Sequence, residues 1–154
     1  MKTIYLDNNA TTKVADEVME VMLPYLNELY GNPSSMHTFG GQVGLHVRDA
    51  REQVAALLGA LPDEIIFTSC GTESDNAAIH SALITRPDKK HIVISRVEHP
   101  AIRALCSHLS TQGYKITELP VNKDGILDLE NLEKSLTPDT AIVSMMWANN
   151  ETGV

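Results

Sequence analysis

The sequence predicts an α/β fold, a mainly parallel sheet flanked by helices, and three observations carry that prediction. From residue 64 onward, short runs rich in β-branched residues alternate with helix-length segments, the pattern of right-handed βαβ units. The residues before that point carry apolar positions at helical spacing. The 154 residues are 43% hydrophobic and 21% charged, a balance that suits a globular chain and excludes a disordered, collagenous or membrane-spanning one.

The elements follow in order. A short opening strand, Ile4-Tyr5-Leu6, precedes a helix whose apolar face is Val18, Val21, Met22, Tyr25, Leu26 and Leu29, docked on a core and kinked or divided by Pro24. The stretch Gly31-Asn32-Pro33-Ser34-Ser35 breaks it. A second helix presents Val43, Val47, Ala50, Val54, Leu57 and Leu58 on one face and ends at Gly59. Strands are then expected at Ile65-Ile66-Phe67, at Ile92-Val93-Ile94, from Tyr114 to Leu119 and from Ala141 to Met146. Asn122-Lys123-Asp124-Gly125 reads as a turn, followed by a strand end and a short helix.

Charge bounds the partners. Twelve Lys and Arg against twenty Asp and Glu give −8, which argues against nucleic acid or an anionic membrane surface, since both need clustered cations. The amino terminus lacks the apolar stretch of a signal peptide and no run approaches a membrane helix, so a cytoplasmic protein is expected. Cys70 and Cys106 have neither disulfide-framework nor zinc spacing, and no histidine spacing suggests a metal site. The length fits one domain or part of a larger one.

In open α/β sheets ligands bind outside the carboxyl ends of the strands, and three groups follow predicted strands: Ser69-Cys70-Gly71-Thr72-Glu73, Glu98-His99-Pro100 and Ala148-Asn149-Asn150-Glu151. Gly71 permits a sharp turn, and Thr72 with Asp75 has the T-x-x-D capping pattern, placing Thr72 at the N-cap. Free amides and the positive helix end there suit a phosphate monoester; the spacing matches neither a Walker loop nor a dinucleotide fingerprint. By pattern alone the same turn is more often that of an ordinary capped helix, since capping residues occur at most helix starts. His99, before Pro100, sits at a helix start where its ring can stack on a flat ligand or move a proton, or simply cap the helix. Asn149 and Asn150 offer amides to a ligand or form a turn. Asp7-Asn8-Asn9-Ala10-Thr11-Thr12 is polar enough to line a site or to turn. Cys70 has no nearby base or cation and reads as packing.

Taken together, YLDNNATT (5–12), YGNPSSMHTFGGQVG (30–44), IIFTSCGTES (65–74), VEHPAI (97–102) and SMMWANNETGV (144–154) resemble the NifS-like cysteine desulfurases, the nitrogen-fixation branch most closely. The resemblance implies the large domain of the aspartate-aminotransferase type, with residues 1–14 belonging to the small domain and 15–154 to the amino-terminal part of the large one. It implies pyridoxal 5′-phosphate as cofactor, with Gly71 and Thr72 on its phosphate, His99 on its ring as stacking and proton-shuttling catalytic residue, and Asn150 at the ring hydroxyl oxygen. Asn8, Ala10, Thr11 and Thr12 would wall the substrate side. The implied reaction takes sulfur from L-cysteine through a cofactor aldimine and an enzyme persulfide, leaving alanine. Sulfur would pass to an iron–sulfur scaffold protein, tying the chain to iron, metal-binding clusters and nitrogenase, and a homodimer is implied.

Lys2, Lys13, Lys89, Lys90, Lys115, Lys123 and Lys134 all lack the small-polar and His context of the family's aldimine lysine. That lysine, the aspartate at the pyridine nitrogen, the persulfide cysteine and the carboxylate-binding arginine are expected beyond Val154, so the chain reads as an amino-terminal fragment, inactive by itself. The alternatives are another enzyme of the same cofactor fold, such as a selenocysteine lyase or an aminotransferase, and a noncatalytic remnant.

Overall fold

The computed structural model describes residues 3–154; Lys2, one of the lysines weighed above, lies outside them. The chain forms two compact units, residues 1–67 and 68–154.

In the first unit, α1 (Asp16–Asn27) and α2 (Thr38–Leu58) are the two helices that the periodicity predicts. Pro24 lies inside α1 without dividing it. Its carbonyl accepts the Glu28 and Leu29 amides at 2.9 and 2.7 Å, which closes the helix one turn later. The expected docking on a core is not found: α1 has no buried residue, and Val21 and Leu26 are 67% and 72% exposed. Periodicity reports that a face is apolar, and this unit covers only part of it: Tyr25 and Leu29 are half-buried, and the Tyr25 ring meets the His46 ring of α2 edge-on at 5.8 Å.

The Nδ1 of His37 accepts the Gly40 amide at 3.1 Å, capping α2, and Gly59 ends the helix in the left-handed region at φ 67°. The loop after Gly31 crosses the start of α2 so closely that a Cβ on Gly40 would stand 2.4 Å from the Asn32 carbonyl oxygen, which is why the helix carries glycine there. Of the expected apolar face, Val43 is buried and Val54 half-buried, whereas Val47, Leu57 and Leu58 are exposed.

Two expected strands are absent from this unit. Ile4-Tyr5-Leu6 and Ile65-Ile66-Phe67 have no ladder partner among the described residues. A β-branched run favours an extended backbone, but a strand requires a neighbour to accept its hydrogen bonds. Instead the Ile65 carbonyl accepts from the Arg51 guanidinium, which also lies 4.8 Å from the Phe67 ring centroid.

The second unit holds the α/β core. β1 (His91–Ser95), β2 (Lys115–Leu119) and β3 (Thr140–Ser144) form a parallel sheet in the order β2-β1-β3. The central strand is buried at every position, as parallel strands covered on both faces are. Helices α3 (Gly71–Thr85) and α4 (Pro100–Thr111) contribute Ile79 and Leu83, and Ile102, Leu105, Cys106 and Leu109, to one core with Ile92, Ile94 and Ala141. The predicted turn is present, with the Asn122 Oδ1 accepting the Asp124 and Ile126 amides at 2.9 Å each. It leads through the Val121–Leu127 bridge to α5 (Leu129–Ser135), capped by Asp128. No helix among the described residues is long and apolar enough to cross a membrane.

At the amino edge of the sheet, the buried imidazole of His91 ties all three strands together. Its Nδ1 pairs with the Thr140 hydroxyl on β3 and its Nε2 with the Thr117 hydroxyl on β2, each at 2.8 Å. Burial, then the Lys115 charge, lowers its pKa below 6.5, with Asp139 opposing. A base whose folded pKa is depressed takes up a proton on unfolding. The stability it contributes is therefore complete above about pH 6.5 and is lost as the pH falls through the lower folded value. Acidification from about pH 7.5 to about pH 5.5 should lower the melting temperature of the wild-type protein more than that of His91→Gln, which cannot titrate. Parallel melting curves over that range check this, and equal slopes would contradict it.

Candidate active site

Parallel pairing sets β1 and β3 with their carboxyl ends side by side, Ile94 opposite Ser144, so the turns that leave those strands are neighbours. The turn after β1 carries Glu98 and His99. His99 is the N-cap of α4, with Pro100 in the first helical position, as the sequence predicts. Its Nδ1 accepts the Ala101 amide at 3.1 Å, which assigns the proton of the neutral ring to Nε2. The ring is exposed, and Nε2 has no hydrogen-bond partner among the described residues.

The turn after β3 carries Asn149 and Asn150. Asn149 is half-buried, and its Oδ1 accepts the Glu151 and Thr152 amides at 3.0 Å each, while its Nδ2 donates to the Val97 carbonyl at 3.3 Å. This frees Asn150 from turn-building. Its side chain is exposed and donates only to Glu151, at 3.0 Å. Glu98 makes the second link between the turns: buried to 6% exposure, its Oε1 accepts both the Ser95 hydroxyl at 2.7 Å and the Met146 amide at 2.8 Å.

The third element is α3. Arg86, just past its end, donates to the Ala141 carbonyl at 2.7 Å near the start of β3. The helix therefore runs from the carboxyl edge of the sheet toward the amino edge, and its first turn, with Gly71 and Thr72, faces the same edge as the two turns above. Thr72 is not the N-cap. Cys70 holds that position with an extended backbone, and the T-x-x-D box is replaced by Glu73, whose Oε2 accepts the Ser69 amide at 2.7 Å and the Ser69 hydroxyl at 2.6 Å. Those bonds hold the Glu73 carboxyl below its ordinary pKa, the Ser69 hydroxyl first. The sequence pattern misled because Ser69 bonds Glu73 one turn earlier than Thr72 would bond Asp75.

This arrangement leaves the first turn of α3 open. The Thr72 hydroxyl is exposed with no hydrogen bond among the described residues, and a Cβ on Gly71 would meet nothing within 4 Å. Cys70 is exposed as well, which corrects its reading as a packing residue. The Glu73 amide first, then the Ser69 hydroxyl and the Thr72 amide, lower its thiol pKa below 9.0. Cys106 is the packed one, with burial raising its pKa to about 11.

Thr72, His99 and Asn150 are thus at one edge of the sheet, and no hydrogen bond joins their side chains to one another. The segment Asn8, Ala10, Thr11 and Thr12 belongs to the first unit. There the Ala10 and Thr11 amides donate to Asp7 at 3.2 and 3.4 Å, and the Thr11 hydroxyl pairs with Tyr5 at 2.6 Å. Lys89, Lys90 and Lys115 stand at the opposite, amino edge. Two of them are engaged there, Lys89 at the Thr140 carbonyl and Lys90 at Tyr114. No group of three or more His, Cys, Asp or Glu suited to a metal occurs among the described residues.

The family model described as "Aminotransferase class-V" matches residues 4–154. Over 153 residues the chain is 65% identical to a protein named "Cysteine desulfurase" from Trichormus azollae, covering 99% of this chain and 38% of that protein. It is 56% identical over 154 residues to "Cysteine desulfurase NifS" from Azotobacter vinelandii, again 99% of this chain and 38% of the other. A solved structure described as "SspA in complex with cysteine" superposes with a TM-score of 0.90 at 33% identity, covering 97% of this chain and 43% of that one. The chain therefore spans about two fifths of the length of the relatives it matches.

The two thiols make the local electrostatics testable. A maleimide at about pH 7.5 should modify Cys70 at least ~10-fold faster than Cys106, because reaction needs an accessible thiolate. Peptide mass mapping over a time course reads the two rates, and modification of Cys106 first would contradict the assignment.

Proposed function

This chain belongs to the class-V aminotransferase family, and from that premise we propose that the whole protein is a pyridoxal-phosphate-dependent cysteine desulfurase. Its reaction turns L-cysteine and an enzyme thiol into L-alanine and an enzyme persulfide. The observation that carries the reading is the 65% identity to a cysteine desulfurase across 99% of this chain.

The residues present fit the cofactor. A phosphate needs hydrogen-bond donors that nothing else occupies, and the open turn at Gly71 offers the unpartnered Thr72 hydroxyl beside the amide-rich start of α3. A flat ring needs an accessible face partner, and the His99 imidazole is exposed with its tautomer fixed by the Ala101 amide. When bound, the coenzyme serves as the electron sink that makes bonds at the substrate Cα labile.

This chain's own residues bind, orient and move a proton. Gly71 and Thr72 anchor the phosphate end. His99 is the catalytic residue: it stacks on the ring, and its Nε2 is the nitrogen available to exchange a proton. Asn150 donates its amide toward the ring hydroxyl oxygen. Asn8, Ala10, Thr11 and Thr12 wall the substrate side, with residues 1–14 assigned to the small domain and 15–154 to the large one. The lysine that carries the coenzyme and the sulfur-accepting cysteine belong to the remainder of the protein. We extend the reading to an iron–sulfur scaffold protein as sulfur acceptor, a homodimer as the working unit, a cytoplasmic location and service to nitrogenase. What supports these is the resemblance to the NifS branch, including the 56% identity to "Cysteine desulfurase NifS".

Full-length protein loaded with pyridoxal phosphate and given L-cysteine should release alanine and, with a thiol reductant, sulfide. Absence of alanine despite an intact cofactor spectrum would refute the desulfurase assignment. Within that enzyme, Thr72→Val should weaken cofactor binding by roughly 10-fold, the worth of a hydrogen bond to a charged group. His99→Ala should lower kcat by about 100-fold or more with modest cofactor loss, the usual scale of acid–base catalysis. Spectral titration and steady-state kinetics separate the two; unchanged cofactor affinity in Thr72→Val would contradict the phosphate site.

A further inference from the structure

The geometry points to Glu98 as a positioning residue: together with Asn149 it locks the His99 turn to the Asn150 turn, and so fixes how an imidazole and an amide are presented to one ligand. The inference rests on the function proposed above for its catalytic consequence, and on the following geometry for its structural one.

His99 and Asn150 are both exposed and touch nothing that would hold one relative to the other. The residue immediately before each of them supplies the link. Glu98 is withdrawn from nearly all solvent to do so. A carboxylate buried to 6% exposure is costly unless its oxygens are used, and its Oε1 takes two donors from different strand ends, the Ser95 hydroxyl of β1 at 2.7 Å and the Met146 amide beyond β3 at 2.8 Å. The Met146 amide lies past the last residue of β3, where no ladder bond can fix it. Glu98 therefore continues the β1–β3 pairing beyond the sheet by way of a side chain.

Asn149 works in the opposite direction. Its Nδ2 reaches back to the Val97 carbonyl at 3.3 Å, while its Oδ1 holds the Glu151 and Thr152 amides. The two turns are thus crossed twice, once by a side chain from each. A ligand held between His99 and Asn150 meets a pair of groups whose spacing is set before it arrives, which is the condition under which positioning accelerates chemistry.

Both donors reach the same oxygen of Glu98, so a neutral amide carbonyl can replace it. Glu98→Gln should keep the link, whereas Glu98→Ala should sever it. Asn149→Asp is the complementary cut: it preserves the Oδ1 acceptor and replaces the amide that donates to the Val97 carbonyl and the Met146 sulfur with a carboxylate oxygen that repels the carbonyl.

The test uses the full-length protein in two states. In the cofactor-free protein, amide hydrogen exchange over residues 144–150 should speed up at Met146 by about 10-fold or more in Glu98→Ala and stay close to wild type in Glu98→Gln. In the loaded enzyme, Glu98→Ala and Asn149→Asp should lower kcat by about 10-fold with KM changed less than about threefold, and displace the visible absorption of the cofactor, because orientation is lost while substrate binding persists. Glu98→Gln should restore both readouts. A merely stabilising residue would lower the melting temperature and leave kcat and the absorption band untouched well below it. Should Glu98→Ala fail to fold, Asn149→Asp carries the comparison alone. Wild-type exchange at Met146, or wild-type kcat and absorption in both cutting variants, would overturn the inference while leaving the desulfurase reading intact. A wild-type protein without cysteine desulfurase activity would instead sink that reading and leave the exchange result to decide the link.

Discussion

The parallel pairing of β1 with β3 is the constraint from which the candidate site follows. Two parallel strands in contact must place their exits at the same edge, so whatever residues come next are neighbours regardless of sequence distance. Here those residues are His99 and Asn150, which the register between Ile94 and Ser144 puts on adjacent turns. The pairing is secured on one face by α3 and α4, which pack together on Ile92, Ile94 and Ala141, and at the amino edge by His91, which occupies both ring nitrogens with threonines of the two flanking strands.

The two edges of the sheet divide the labour. At the amino edge Lys89, Lys90, Arg86 and His91 satisfy carbonyls, a tyrosine and threonine hydroxyls of the unit itself. At the carboxyl edge the polar groups left over after turn-building, the Thr72 hydroxyl, the His99 Nε2 and the Asn150 amide, are those without a structural duty. Their neighbours Ser69, Glu73, Glu98 and Asn149 absorb the local hydrogen-bonding demands, which keeps the remaining groups available to a ligand.

The sequence made the α/β class legible because β1 is a continuous apolar run ended by polar residues and because β2, a β-branched stretch of mixed polarity, and β3, a second short apolar run, follow at helix-length intervals. It made His99 legible through Pro100, whose fixed φ marks the first turn of a helix. It was less informative where a residue's role depends on a partner distant in the chain. Ile65-Ile66-Phe67 has strand composition, but composition does not supply a neighbouring strand. The apolar face of α1 follows from periodicity, yet periodicity does not say what covers it. The spacing of Thr72 and Asp75 suggested a capping pair, but the helix begins earlier, with Cys70 at the N-cap and Glu73 bonded back to Ser69, so that neither Thr72 nor Asp75 caps it. Glu98 was legible only as a member of the group that follows its strand, not in its role: a glutamate beside a histidine looks like a solvated charge until Ser95 and Met146 are seen on one of its oxygens.

The central claim is spatial, that one phosphorylated ring is held at once by the start of α3 and by the turns after β1 and β3. The structure of the full-length protein loaded with pyridoxal phosphate tests it most directly. The account predicts the phosphate within about 3 Å of the Thr72 hydroxyl and the α3 amides, with the His99 imidazole parallel to the ring. A phosphate bound elsewhere, or a ring that His99 does not face, would contradict it.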